Sequence, residues 1–263
     1  MNSGLKSRIV CLIAALCCAM CVLAQPKYVI VPQLDPFTSV SVAKRINVTL
    51  VPGSEVDKLP QEIYSRLAKN KKAMANIAAG GRACVIKAEA TVAKAVKCEV
   101  EDGELSVSAA KFKYKKSPAI DVFIVCNDGL RSIYGASSSN IWSKGVLRTQ
   151  SISLTADFAM SFHLSIMAQS VNLVAKSDSK VWLTGSATSL TANLQSSSLT
   201  MSKMDCGSAS VTATGGSKAQ VNASGALSLS AQGRSTISYT SQGARVDASA
   251  DVSSKIVAQT TAK

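Results

Sequence analysis

Histidine is almost missing from this chain of 263 residues: His163 is the only one. Aromatic residues make up 5%, Asp and Glu together number 16 against 29 Lys and Arg, and the cysteines beyond the first two dozen residues include no C-x-x-C pair. Each shortage removes a class of function. His163 lies in the alternating stretch "MSFHLSI" and there is no G-x-S-x-G elbow, so a Ser-His-Asp site has no framework; His163 reads as an outward-facing strand residue. Without a C-x-x-C pair the spacing for a structural zinc site is lacking. No metal, cofactor or catalytic residue is therefore assigned.

Long apolar runs are confined to the start. In "MNSGLKSRIVCLIAALCCAMCVLAQ", Lys6 and Arg8 precede an apolar run from Ile9 to Leu23, and Val22-Leu23-Ala24 is a small-residue cleavage pattern. Residues 1–24 read as a signal peptide, because a run of about fifteen residues is shorter than the roughly twenty that cross a bilayer. Cys17, Cys18 and Cys21 are not preceded by a lipoprotein-type triplet, which disfavours a lipid anchor. Loss of Lys6 and Arg8 lowers the net charge from +13 to +11. The mature chain has no other stretch able to span a membrane, so the expected location is the periplasm, the outer-membrane surface or the medium.

Four cysteines remain beyond the leader: Cys84, Cys98, Cys126 and Cys206. In an exported chain they admit two disulfides with three connectivities. Small buried cysteines with no partner and a bridge from Cys84 to Cys98 both fit the sequence.

From Ser132 onward the chain divides into blocks of nineteen residues, and serine recurs at Ser132, Ser151, Ser170, Ser189 and Ser208. Each block carries two short apolar alternations. Ile152, Leu154 and Ala156 precede Met160 and Phe162; Val171, Leu173 and Ala175 precede Val181 and Leu183; Leu190, Ala192 and Leu194 precede Leu199 and Met201. Ala209, Val211 and Ala213, then Ala219 and Val221, then Leu227, Leu229 and Ala231, then Ile237 and Tyr239 continue the pattern toward Ile256. Alternation of period two marks half-buried strands. Strand, turn, strand, turn in nineteen residues leaves no room for a helix and suits one coil of a β-solenoid. Stacked about 4.8 Å apart, seven coils form a column of roughly 33 Å with a narrow interior of Ala, Val and Leu. The serine column is expected at a corner, its hydroxyls bonding local backbone. Gly185, Gly207, Gly215, Gly216, Gly225, Gly233 and Gly243 are expected where a corner needs positive φ. Near Leu227 the alternation slips by one residue, a turn adjustment.

Residues 25–131 are less repetitive and form a β-rich N-terminal part, with 132–263 as the coil array. "FTSVSVAKRINVTLVPG" alternates as strands, and "VKCEVEDGELSVSA" reads as a hairpin turned at Asp102-Gly103. Between them a helix is expected over about 60–79, opened by Pro60, with Ile63, Leu67, Met74 and Ile77 on one face and Gly80-Gly81 at its end. Lys69, Lys71 and Lys72 group on that helix. Lys111, Lys113, Lys115 and Lys116 interleave with Phe112 and Tyr114 but do not form one outward row.

Phe37 with Val40 and Val42, "INVTLVPG", "EDGELSV", "AIDVFIVCNDGLRSIYGASSSNIW" and the Ser/Gly/Ala-rich coils together resemble the Putative auto-transporter adhesin, head GIN domain family of exported bacterial proteins. The resemblance covers about residues 35–258, and its most specific part is "DVFIVCNDGLRSIYGAS", with Leu130 and the turn Gly135-Ala136-Ser137. It implies an all-β chain built as a right-handed parallel β-helix, and its name implies adhesion. The chain departs from the family pattern in lacking a Gly-Ile-Asn tripeptide and in carrying the helical stretch as an insertion.

Solenoid enzymes acting on acidic polysaccharides cluster carboxylates on neighbouring coils. The array has only Asp157, Asp178, Asp205, Asp247 and Asp251, and the first three fall at block positions 7, 9 and 17, so they do not share a column. The acidic run "EVEDGE" reads as solvated surface. The expected function is an exported, non-enzymatic envelope or surface protein with a structural, adhesive or polymer-binding role. The alternative is a polysaccharide lyase or hydrolase on the same scaffold, with Asp157 and Asp178 as its carboxylates. The positive charge points to an anionic glycan or another envelope component as partner. Nucleic acid is not expected in an exported chain without a recognised binding module. Association through the solenoid ends is expected, since these leave unpaired backbone.

Overall fold

The alternation is realised as stacked parallel strands. The structure, a computed structural model, describes residues 26–110, 120–243 and 245–259. The proposed leader and the lysine-rich segment from Lys111 to Lys116 lie outside the described residues. The chain opens with β1 (Lys27–Leu34), β2 (Ser39–Val42) and β3 (Asn47–Pro52). A 3-10 turn over Gly53–Lys58 leads into two helices, α1 (Gln61–Lys69) and α2 (Lys71–Ala78). Next come β4 (Arg82–Ala88), the one-turn α3 (Ala90–Ala93), β5 (Val96–Glu101), β6 (Glu104–Ala109) and β7 (Asp121–Cys126).

The coils then follow in sequence. They begin with β8 (Ser132–Gly135), β9 (Asn140–Ser143), β10 (Leu147–Arg148) and β11 (Ser151–Ala156). Three long strands, β12 (Ser161–Lys176), β13 (Lys180–Gln195) and β14 (Ser198–Thr214), each pass round a corner from one face to the other. Shorter strands complete the column: β15 (Lys218–Ala223), β16 (Ala226–Ala231), β17 (Thr236–Ser241), β18 (Arg245–Ala250) and β19 (Lys255–Ala258). About seven coils of about nineteen residues result, in a mostly β solenoid.

Two faces can be followed rung by rung. The front face runs β7, β3, β9, the first parts of β12, β13 and β14, then β15, β17 and β19, all parallel. The back face runs β6, β2, β8, β11, the later parts of β12, β13 and β14, then β16 and β18. Inward residues stack in columns. Val181 pairs with Leu199, Leu199 with Ala219, and Ala219 with Ile237, all four buried. Val122, Val48, Ile141 and Phe162 extend the same column upward. Each buried Leu, Ile or Phe in such a column contributes about 1.5–3 kcal/mol by leaving water.

The spatial order of the first rungs differs from the chain order. The rung made by β6 and β7 lies outside that of β2 and β3, and the following rung, β8 and β9, lies on the inner side. Residues 39–52 are thus sandwiched between two later segments. Above them β4 and β5 run antiparallel and β1 adds to β4, so antiparallel strands close this end. The hairpin between β5 and β6 turns at Asp102 and Gly103, both at positive φ, as the dipeptide predicts. The expected single helix is two, because the Asn70 side chain accepts the Ala73 N–H at 3.0 Å and caps α2 there. Ile63, Leu67 and Ile77 pack outside the front face against Val51, Val85 and Val125, a second small core.

The serine column is real but shorter than the period implies. Ser151, Ser170, Ser189 and Ser208 are in register where the chain enters the back face, and the Ser170 hydroxyl bonds the Ser151 hydroxyl at 2.8 Å. Ser132 is not in it, because it pairs with Ser153: the coil there is two residues longer. A second, buried column went unread in the sequence. Ser139, Ser179, Ser197, Ser217 and Ser235 occupy the position just before the front strands. Four of the hydroxyls accept N–H groups from the rung before, Ile46 to Ser139, Met160 to Ser179, Ser197 to Ser217 and Ser217 to Ser235, at 3.1 to 3.3 Å, while the Ser197 hydroxyl donates to the Ala175 carbonyl at 2.8 Å. An unmet buried N–H costs about 1–3 kcal/mol, so these hydroxyls are structural.

Gly207 and Gly225 also depart from expectation, since neither has positive φ. A Cβ on Gly207 would lie 2.6 Å from the Thr188 carbonyl oxygen, and one on Gly225 would lie 2.7 Å from that of Gly207. Close approach of rungs, not a left-handed corner, demands glycine at both. The other five have positive φ. The slip near Leu227 is found where expected: Ala209 pairs with Leu227, eighteen residues on.

All four described cysteines are free, and two face each other: the sulfurs of Cys84 on β4 and Cys98 on β5 are 3.4 Å apart. Burial pushes the Cys126 thiol up to about 12 and raises that of Cys206, which keeps both protonated. Incubation of the leaderless chain with glutathione disulfide is expected to close Cys84 to Cys98, which needs only a small approach of the two sulfurs. Thiol titration after unfolding should then find two thiols instead of four, with Cys126 and Cys206 unmodified. Four remaining thiols would contradict the pairing.

Candidate functional site

Outward positions of the front face also form columns. One runs Phe123, Thr49, Trp142, His163, Trp182, Thr200, Gln220 and Ser238. It gathers both tryptophans of the chain and its single histidine on three successive rungs. The rings stack: His163 lies 4.1 Å from Trp182 with planes 10° apart, and 6.1 Å from Trp142 with planes 20° apart. His163 is outward-facing, as its strand alternation predicts, yet half-buried because indoles flank it on both sides.

Two boundaries define the exposed part of this column. Upward, Phe123 packs against the small core under α1 and α2, so the helices cover the front face there. Downward, the stack ends at Trp182, whose neighbour on the next rung is Thr200. A threonine has no ring to continue the stack, so the half-buried Trp182 indole is its last member. Beyond it lies a shallow groove of about 380 Å³ lined by Ser198, Thr200, Lys218, Gln220, Thr236 and Ser238 among others.

The adjoining outward column runs Asp121, Asn47, Asn140, Ser161, Lys180, Ser198, Lys218, Thr236 and Lys255. Its top is a hydrogen-bonded ladder: Asn140 donates to Asn47 and Asn47 to Asp121, each at 2.9 Å. Its lower part places exposed lysines on every second rung, about 9–10 Å apart by the strand spacing. From Lys180 down, this column holds no carboxylate. The back face contrasts with it. Its outward columns from Ser151, Ser153 and Thr155 carry Ser, Thr, Asn, Val and Ala, with charge only at Arg245 and Asp247 near the end.

The enzymatic alternative gains no geometry. Asp157 follows β11 and accepts the Phe158 N–H at 2.9 Å; Asp178 sits in the next turn at positive φ. Register places Ala156 over Ala175, so Asp157 stands over Lys176 and not over Asp178. Among the described residues no group of three or more His, Cys, Asp or Glu could hold a metal. Lys69, Lys71 and Lys72 are exposed on the helices, away from the lysine column.

The solenoid and its outer columns can be set beside known proteins. A family model described as Putative auto-transporter adhesin, head GIN domain, matches residues 66–243. The chain belongs to that family. Among solved structures, this member of the head GIN family is similar to a putative adhesin of Bacteroides fragilis at 12% identity and a TM-score of 0.67, covering 89% of this chain and 97% of that one. A putative lipid binding protein of Parabacteroides distasonis aligns at 10% identity and a TM-score of 0.61, over 90% and 97% of the two chains. A putative adhesin of Parabacteroides merdae aligns at 10% identity and a TM-score of 0.59, over 90% and 97%. At such identities the likeness is one of fold. No curated protein matches the sequence.

Burial between the indoles lowers the His163 pKa below its ordinary 6.5. The unfolded chain therefore binds a proton at this site more readily than the folded one. That proton linkage leaves stability unaffected well above 6.5 and reduces it as the pH falls below. Between about pH 7.5 and pH 5.5, His163→Gln should lose less in Tm than the unsubstituted protein does. An equal or greater loss in the variant would contradict the burial of the ring.

Proposed function

We propose that this head GIN family protein is an exported, non-enzymatic surface or envelope protein that binds an extended anionic glycan along the lower front face. The observation that carries the reading is one place where the last indole of the ring stack, a hydroxyl- and amide-lined groove and a carboxylate-free lysine column adjoin. Sugar rings offer apolar faces to an indole and hydroxyls to serine, threonine and glutamine. Carboxylate or sulfate groups repeating along a polymer meet lysines that repeat along the solenoid. A flat, exposed track suits a chain held at many weak points better than a small molecule, which favours deep concave sites. Attraction between exposed charges acts within a Debye length of about 8 Å at physiological salt, so binding should weaken as salt rises.

The family's name and the neighbouring putative adhesins support a surface role. No helix among the described residues is long and apolar enough to cross a membrane. The lyase or hydrolase reading has no converging carboxylates in its favour.

Chromatography on immobilised anionic polysaccharide, with a neutral polysaccharide as control, tests the proposal. Retention on the anionic matrix alone is expected, lost at high salt. Each of Lys180→Ala, Lys218→Ala and Lys255→Ala should weaken binding about two- to fivefold, the scale of an exposed ion pair. Trp182→Ala should cost about tenfold or more, as a central aromatic contact does. Equal retention of all four variants would move the site elsewhere, and no retention of the unsubstituted protein on any anionic matrix would end the proposal.

A further inference from the structure

The two ends of the solenoid are finished differently. At the first end the outermost strands are β1 and β5, both held antiparallel. β1 carries Pro32 and an irregular register between Val31 and Leu34, and Arg66 lies over its Tyr28 ring at 3.6 Å. β5 presents Lys97, Glu99 and Glu101, all exposed. Proline, irregularity and charge are the devices that stop a sheet edge from pairing with another chain.

At the other end the last strands are β18 and β19, and none of the described strands pairs with their outer edges. Neither contains proline. The interior residues of this rung are uncovered: Val246 and Ile256 are half-buried and Ala248, Ala250 and Ala258 exposed, whereas Leu227, Leu229, Ala231 and Ile237 one rung earlier are buried. Val252 and Val257, two of the few exposed large apolar residues, lie on the same rung. The backbone is poised as well. Amides of Arg245, Asp251, Lys255 and Gln259 donate back to Gly225, Ala231, Ser235 and Tyr239. By strand alternation, the amides of Val246, Ala248, Ala250, Ile256 and Ala258 point off the end.

We propose that two copies of this chain join at their open ends, β18 and β19 of each pairing antiparallel with the same strands of the other about a two-fold axis. Inward residues must stay inward, and of the two such registers that overlap five residues of β18, the one that keeps Asp247 from facing its own copy sets Ala248 against its own copy and Val246 against Ala250 of the partner subunit. Arg245 then faces Asp251 of the partner subunit, and the reverse, so opposite charges meet twice and like charges never stand directly opposite. Within its own chain the Asp251 carboxylate accepts the N–H groups of Gly233 and Ser253, at 2.7 and 3.0 Å, so its attraction to Arg245 of the partner subunit is that of a held charge. On the front face the same axis sets Val257 against its copy and Ile256 against Ala258 of the partner subunit, while Lys255 meets Gln259 of the partner subunit. The outward amides fall in the hydrogen-bonded pairs of both strands, as antiparallel pairing requires. Because the first end is blocked, the contact joins like to like and closes at two; head-to-tail growth into a filament has no second edge to use.

Light scattering on the purified protein at micromolar concentration should give twice the monomer mass. Ala248→Pro removes only an N–H that points off the end, which an edge strand tolerates, so it should halve the mass and keep the circular dichroism spectrum. Val257→Cys places a cysteine opposite its own copy at a close pair, within reach of a disulfide. Mild air oxidation should give it a covalent dimer that the unsubstituted chain does not form, and this decides the matter if Ala248→Pro fails to fold. A monomer at all concentrations, a dimer unaffected by Ala248→Pro, a ladder of larger species, or a Val257→Cys chain that does not cross-link would each overturn the proposal.

Discussion

Each rung of this protein must hand the next one a row of backbone groups in register, and almost every local choice in the sequence serves that handover. A single backbone bond nets about 1 kcal/mol, but a missed one inside the stack costs up to about 3, so register errors are expensive in proportion to strand length. The buried serine column answers the constraint at one corner, where Ser139, Ser179, Ser217 and Ser235 take the amides that the turn leaves over. Gly207 and Gly225 answer it at the opposite corner, where carbonyls come too close for a side chain. The inward columns hold the rungs at this spacing with small and medium apolar residues.

Much of this was legible from period-two alternation, because one face of every strand is buried and a shift by one residue would expose it. The stack of Val181, Leu199, Ala219 and Ile237 follows from that pattern alone, as does the slip at Leu227. What a fixed period of nineteen hides is the wobble of individual coils. The buried serines are spaced 18 and 20 residues apart in turn, and Met160 stands in place of one of them, so no simple count aligns them. Trp142, His163 and Trp182 are separated by 21 and 19 residues, and their convergence appears only once the pairing of β9, β12 and β13 is known. The displaced order of the first rungs carries no periodic signal at all, since residues 39–52 pair with segments that come much later in the chain.

The division between inward and outward positions also explains how chains at 10–12% identity keep one fold. Ala, Val, Leu and Ile replace one another down the interior columns, while outward residues are free to differ because the backbone, not the side chain, joins the rungs. The lysine and indole columns occupy that free surface. The back face, polar and nearly uncharged, uses the same scaffold without the same chemistry. The helices over the upper front face limit the open track to the lower rungs, next to the end read as a contact between two copies.

If register between successive rungs is what the fold depends on, the column should accept the loss of one whole coil and reject the loss of half. Removing residues 180–197 joins Ser179 to Ser198, and Ser179 holds the same place on its coil that Ser197 holds on the next. The shortened chain should keep a β-type circular dichroism spectrum and one cooperative unfolding transition, with β12 pairing directly to β14. Removing residues 180–188 alone should abolish both, since it breaks the alternation of the faces. A chain lacking 180–197 that is as unfolded as one lacking 180–188 would contradict the account.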